Sequence, residues 1–282
     1  MSSVSELPVI ARQVRRDILR MVHAVNSGHP GGSLGCADYL TSLYFEYMKH
    51  DPQNFSGDGK GQDVFVMSNG HISPVFYSVL ARSGYFEVSE LATFRKINTR
   101  LQGHPTTHEG LPGVRVATGS LGQGLSVATG FALEKKLDND SSTVWVLTGD
   151  GELQEGQVWE AVMFAAHNKV DNMIVAVDFN QQQIDGSTGD VMGITELKSK
   201  FLAFGWDVLE MDGNNYDSIH QVVPHAQSKL GGGKPIIIIM KTEMGQGVDF
   251  MMGTHAWHGK APNDEQLADA LNQLSETPYG DY

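Results

Sequence analysis

The chain has 282 residues, with 20 Lys and Arg against 33 Asp and Glu, a formal charge of −13 when its 11 histidines are neutral. Neutralising a phosphate backbone takes clustered basic side chains, and none occur, so nucleic-acid binding is excluded; an anionic membrane surface is an equally poor match. The length suits one large domain or two small ones, and 40% hydrophobic residues supply a full core, which excludes disorder as the main theme.

In chain order, Ile10, Val14, Ile18, Met21, Val22 and Val25 recur at intervals of three and four, predicting an amphipathic helix that ends at Gly28. Arg12, Arg15 and Arg16 interrupt the apolar stretch where a secretory signal would need an unbroken one. Cys36 is the sole cysteine, so no internal disulfide framework can form and a reducing cytoplasm is the expected compartment. A second helix is expected over 38–48. Asp63 to Met67 reads as a strand closed by Ser68-Asn69-Gly70-His71, and Pro74 to Gly84 as the helix after it.

The long stretch from Asn98 to Gly124 is rich in Gly, Pro, His and Thr and reads as a functional loop. Thr143 to Thr148 is a strand running into Gly149-Asp150-Gly151, with helical spacing from Val158 to Lys169. Met173 to Val177 is the next strand, ending in Asp178-Phe179-Asn180; strands at Trp206–Met211 and Pro235–Met240 complete the set. The longest apolar run, Ile236 to Met240, is far short of the ~20 residues of a membrane helix. Apolar strands alternating with helices predict an α/β fold, a doubly wound parallel sheet with helices on both faces. Residues 1–262 form its body. The acidic tail over 263–282 reads as one short helix and a frayed end.

Asp150 and Asn180 fall at the ends of consecutive predicted strands, where open α/β sheets bind ligands. A carboxylate and an amide oxygen suit Mg²⁺, and the flanking glycines let a diphosphate approach the backbone near a helix N-terminus at Gln157. A Mg²⁺-diphosphate anchor follows, with the metal supplying the charge that the few basic residues do not. His29, His71, His104 and His255 sit in glycine-bearing loops from which imidazoles could converge on the same crevice. His23, His50, His167, His220 and His225 read as surface or structural residues.

Gly149-Asp-Gly-Glu-Leu-Gln-Glu-Gly-Gln-Val-Trp-Glu-Ala161, with Asp178-Phe-Asn180 and Asp185-Gly186, resembles the thiamine diphosphate motif of transketolases. Asn26-Ser-Gly-His-Pro-Gly31, Ser68-Asn-Gly-His71, Gly103-His-Pro105, Thr118-Gly-Ser-Leu-Gly-Gln-Gly124 and Gly253-Thr-His-Ala-Trp-His-Gly259 follow in that family's order. The resemblance is confined to the N-terminal, diphosphate-binding part of the family, and it implies the N-terminal subunit of a split transketolase. A partner chain would supply the pyrimidine-binding and third domains, in an α2β2 heterotetramer that moves a two-carbon ketol unit between sugars.

By the same resemblance, Asp150, the Asn180 side chain and the main-chain carbonyl of Gln182 would hold Mg²⁺, with Ca²⁺ or Mn²⁺ as substitutes. Gly151 would contact the diphosphate, and Gly119, Ser120 and Leu121 would line the cofactor nearer its rings. His71 and His255 would touch its phosphates or the reacting centre. His29 and His255 would handle the donor and acceptor oxygens, since imidazole exchanges protons near neutrality, and His104 would bind donor hydroxyls. Of the pair flanking Trp257, His255 is preferred to His258, and His108 is expected to be exposed. Glu155 would lie at the partner interface, near the glutamate that activates the cofactor. A non-catalytic cofactor-binding module, a 1-deoxyxylulose-5-phosphate synthase-like enzyme and a Mg²⁺ phosphohydrolase are the competing readings. Four crevice histidines argue against the first, and the last lacks a second carboxylate to activate water.

Overall fold

A computed structural model describes residues 6–282. Its centre is a five-stranded sheet, every pairing parallel, in the order β1 (Val64–Met67), β2 (Val144–Gly149), β3 (Met173–Phe179), β7 (Ile236–Lys241), β6 (Asp207–Asp212). The first four strands are runs of β-branched and other apolar residues buried on both faces, as a helix-covered parallel sheet requires. Edge strand β6, half-exposed, carries Asp207, Glu210 and Asp212 instead.

Strand alternation divides the core in two. Phe65, Met67, Trp145, Leu147, Ile174, Ala176, Ile236 and Ile238 face α1 (Leu7–Ala24), α3 (Ala37–Ser42), α4 (Ser73–Arg82) and α9 (Tyr216–Ser228). Val64, Val66, Val144, Val146, Val175, Val177, Ile237 and Ile239 face α5 (Gly124–Leu137), α6 (Gly156–His167) and α8 (Leu197–Ala203). The doubly wound sheet expected from the sequence is therefore present, with helices on both sides. Between Thr93 and Gly124 the chain forms no helix or strand, matching the predicted long loop. Two short strands, β4 (Gln182–Gln183) and β5 (Gly186–Ser187), and α7 (Thr188–Met192) follow β3. Among the described residues no helix is long and apolar enough to cross a membrane.

Two expectations need correction. The helix expected over 38–48 is divided: α2 (Pro30–Gly35) precedes α3, and residues Leu43–Tyr47 form a wider π-type turn. Three glycines in six residues make α2 a poor intrinsic helix, and packing explains them. A Cβ on Gly31 would sit 2.7 Å from Met244 Cγ, and one on Gly35 2.8 Å from the Glu243 carbonyl oxygen.

The tail is not frayed. After α10 (Asp264–Gln273), opened by a reciprocal Asn263–Gln266 cap, the chain docks on α1 and α4. Arg16 pairs with Asp281 at 2.7 Å and donates to the Leu274 carbonyl at 2.5 Å, while Arg82 donates to the Gly280 carbonyl at 2.9 Å. Arg16 is a buried charge compensated by Asp281 and the Leu274 carbonyl, and buried Asp17 is compensated by Arg82 at 2.9 Å.

Candidate active site

The C-terminal ends of four adjacent strands open on one cavity of about 430 Å³. Asn69 and His71 come from the loop after β1, Gly149–Gly151 from the end of β2, Asp178, Asn180 and Gln182 from the end of β3, and Met244 from beyond β7. His29 joins them from the residue before α2, and His104, Gly119 and Leu121 from the long loop. Of the residues singled out in the sequence, His29, His71, His104, Gly119, Leu121, Asp150, Gly151, Glu155, Asn180 and Gln182 all line this cavity. Ser120 lies beside it and does not.

One end of the cavity is acidic. Asp150, 4% exposed, accepts hydrogen bonds from the Gly151 amide at 2.7 Å and the Gln181 amide at 2.5 Å. Burial, and then the neighbouring Asp178 carboxylate, push Asp150 up to about 8. Asp178 is itself buried and raised by burial; it accepts from the hydroxyl of Thr242 and from Asn180 Nδ2 at 2.9 Å. With the amide nitrogen so engaged, Asn180 Oδ1 turns to the Gln182 amide at 2.9 Å and keeps a second lone pair. No described Lys or Arg forms an ion pair with either aspartate.

A carboxylate, an amide oxygen and a backbone carbonyl, next to uncompensated negative charge, form the hard-oxygen set that a divalent cation satisfies. Among the described residues no group of three His, Cys, Asp or Glu gathers as an all-charged metal cage. Asn69 Oδ1, buried without a hydrogen-bond partner among the described residues, adds a polar atom for a ligand to meet.

The other end holds four imidazoles. His29 lies edge-on to His71 at 5.0 Å and to His258 at 5.6 Å, His71 stacks on His258 at 5.1 Å, and His104 is 6.4 Å from His29. The fourth ring is thus His258. His255, preferred from the sequence, is exposed and lines no part of the cavity. The reason lies in Trp257, which is buried, donates from Nε1 to the Phe250 carbonyl at 2.9 Å and pins the short turn His255–Trp257. The chain leaving that turn passes over His29, where a Cβ on Gly259 would be 3.4 Å from the ring. His23, His50, His167, His220 and His225 stay outside the cavity, and His108 is exposed as expected.

Burial, then the positive potential of His258, Arg95 and His104, holds His29 down to about 4. His71 is held well below the usual histidine value by burial, then by its histidine neighbours. His104 is lowered by burial and then by Arg95, and His258 by burial and then by His255. All four are thus shifted toward the neutral form, the form that can accept a proton. The unfolded chain takes up these protons near 6.5 while the folded chain resists, so their effect is absent above that pH and destabilising as pH falls toward 4. His29→Asn is expected to reduce the loss of unfolding free energy between pH 6.5 and 5 by on the order of 1 kcal/mol. Urea unfolding at both pH values measures it, and equal losses in the two proteins would contradict a neutral, buried His29.

Sequence reasoning passed over Glu152, Asp178 and Asn69. Glu152 carries no role in the sequence reading beyond its place in the Gly149–Ala161 motif, yet it is 2% exposed. The available signal was Asp178, immediately between an apolar strand and Asn180, where a third acidic or amide group so close to Asp150 is costly without a ligand.

The family model for the transketolase thiamine diphosphate binding domain matches residues 9–282. The chain is 38% identical to an apulose-4-phosphate transketolase subunit of Actinobacillus succinogenes, over 97% of this chain and 98% of that one. It is also 38% identical to a 6-deoxy-6-sulfo-D-fructose transketolase subunit of Clostridium sp. (strain MSTE9), over 94% of this chain and 95% of the relative. Among solved structures, transketolase from Campylobacter jejuni superposes with a TM-score of 0.90 at 35% identity, over 100% of this chain. The chain spans only 44% of that transketolase, whereas it matches the two separate subunits along nearly their whole length. The chain therefore belongs to the transketolase family, as its thiamine diphosphate-binding N-terminal domain.

Proposed function

We propose that this chain is the N-terminal subunit of a two-chain transketolase. It works with a C-terminal partner in an α2β2 heterotetramer, in the cytoplasm, with residues 1–262 as the diphosphate-binding domain and 263–282 as its extension. The observation that carries the reading is the joining, in one cavity, of an uncompensated oxygen-donor set at Asp150, Asn180 and Gln182 to four imidazoles shifted toward the neutral form. Asp150, the Asn180 side chain and the Gln182 carbonyl hold Mg²⁺, and Gly151 lies against the diphosphate. Gly119 and Leu121 would line the cofactor nearer its rings, with Ser120 between them in the chain but outside the cavity lining. When bound, thiamine diphosphate supplies the carbon nucleophile that ketol transfer needs.

The chain's own groups supply proton traffic and position. His29 and His258 accept a proton from a donor hydroxyl and return one to an acceptor oxygen; their shift toward the neutral form is what lets them begin as bases. His104, more exposed, hydrogen-bonds donor hydroxyls, and His71 packs against both His29 and His258, which also touch each other. Glu155 is exposed at the cavity edge, where the partner's activating group reaches. Exposed Leu121 and Ile184 border the same edge and await apolar cover. The substrates are a ketose donor, phosphorylated or sulfonated as in the relatives' names, and an aldose acceptor.

Ketol transfer is expected only when the chain is combined with its C-terminal partner, thiamine diphosphate and Mg²⁺. A panel of ketoses including apulose 4-phosphate, 6-deoxy-6-sulfofructose and xylulose 5-phosphate identifies the donor. Turnover by the chain alone, or none with the partner on any ketose, would sink the proposal.

A further inference from the structure

Glu152 forms no ion pair among the described residues, yet its buried carboxylate is saturated with donors. Oε1 accepts from the Gly122 amide at 2.8 Å and from the Ser68 hydroxyl, and Oε2 accepts from the Gly149 amide at 3.1 Å. The three donors belong to three different segments: the loop after β1, the glycine-rich loop before α5, and the end of β2. Only an acceptor without hydrogens of its own can serve all three at once. A glutamine would turn its NH₂ toward at least one of them, and an aspartate would fall about 1.5 Å short.

The loop that Glu152 holds has little else to fix it. Gly122 adopts φ +83°, and a Cβ there would meet Glu155 Cβ at 2.8 Å; a Cβ on Gly119 would lie 2.5 Å from the His104 ring, and one on Gly124 would collide with Ser68 Oγ. The loop backbone is thus pressed against its neighbours with no side chains of its own to anchor it at those points. The hydrogen bond from Gly122 to Glu152 is the directional tie across to the Gly149–Gly151 turn.

We propose that Glu152 is a positioning residue that holds Gly119 and Leu121 on one wall of the cavity at a set distance from Gly149–Gly151 on the other. The gap between the walls is thereby formed before any ligand arrives, which lowers the ordering cost of binding. This rests on the reading that thiamine diphosphate occupies that gap.

The test uses the whole chain, titrated with thiamine diphosphate in saturating Mg²⁺, together with amide hydrogen exchange of the cofactor-free protein. Glu152→Gln is expected to raise the Kd about tenfold or more, and Ser68→Ala about threefold. The double variant should be no weaker than Glu152→Gln alone, because both changes act on one carboxylate. Exchange at 119–124 should accelerate in both single variants while exchange in β3 stays unchanged, a pattern that general destabilisation does not produce. An affinity within twofold of the parent for Glu152→Gln, or exchange that accelerates equally in β3, would overturn the inference. Should Glu152→Gln fail to fold, Ser68→Ala decides by the same two measurements. If the parent chain binds no thiamine diphosphate even with its C-terminal partner added, the functional reading fails, and the exchange pattern still decides whether Glu152 holds the loop.

Discussion

Asp150→Asn is expected to abolish Mg²⁺-dependent binding of thiamine diphosphate, and to cut ketol transfer by the reconstituted enzyme on the order of 10³-fold, without unfolding the chain. Groups that merely orient metal ligands are worth roughly 10- to 100-fold in affinity or activity, and a ligand is worth more. Stability moves the other way. Asp150 and Asp178 are buried carboxyls at the ends of neighbouring strands, and no described basic side chain pairs with either. At pH 7 the unfolded chain ionises Asp150 while the folded chain, with Asp150 raised to about 8, resists ionisation, a cost that asparagine does not carry. The change leaves one amide donor, from Gly151 or Gln181, without its acceptor, a cost of about 1 kcal/mol.

The two effects nearly offset, so the cofactor-free variant should unfold at or above the parent's temperature. The parent alone should gain thermal stability when Mg²⁺ and thiamine diphosphate are added, since a ligand that binds only the folded state stabilises it. Thermal unfolding of both proteins with and without the two ligands measures this. An equal ligand-induced rise in the variant would remove Asp150 from the metal set, and a large fall in the absence of ligand would make it a structural residue instead.

What could be read in the sequence was what local chemistry dictates. The strands were legible because Val64 to Met67, Thr143 to Thr148 and Met173 to Val177 are apolar runs that only a sheet covered on both faces explains. Asp150 and Asn180 were legible for the same reason: each stands just past such a run, and consecutive strands turned out to be neighbours in the sheet. Glu152 was not legible, because its meaning lies in Ser68 and Gly122, 84 and 30 residues away. The α2 helix was hidden by its glycines, whose reason is the backbone of Glu243 and the side chain of Met244 pressing on them. The docked tail was hidden likewise, since an acidic, polar terminus reads as solvated until Arg16, Arg20 and Arg82 are found beneath it.

The choice between His255 and His258 shows the same limit, and it carries the other large expected effect. Spacing alone places both beside Trp257 and cannot say which ring the buried indole turns inward. In the structure His258 stacks on His71 and meets His29 edge-on, while His255 stands in solvent. His258→Ala in the assembled enzyme is therefore expected to lower kcat by about 10²- to 10³-fold, the range of a lost acid-base group. His255→Ala should stay within a few-fold of the parent. A residue that only binds the sugar would raise KM with kcat kept, whereas a proton-transfer residue lowers kcat itself. His258→Gln sharpens the comparison, because it keeps a hydrogen-bonding side chain of similar reach without a group that titrates. If Gln restores the rate, His258 positions the substrate; if the rate stays low with KM near the parent's, the proton moves through its ring. A large loss with His255→Ala and none with His258→Ala would mean that the turn around Trp257 rearranges when the partner closes over the cavity.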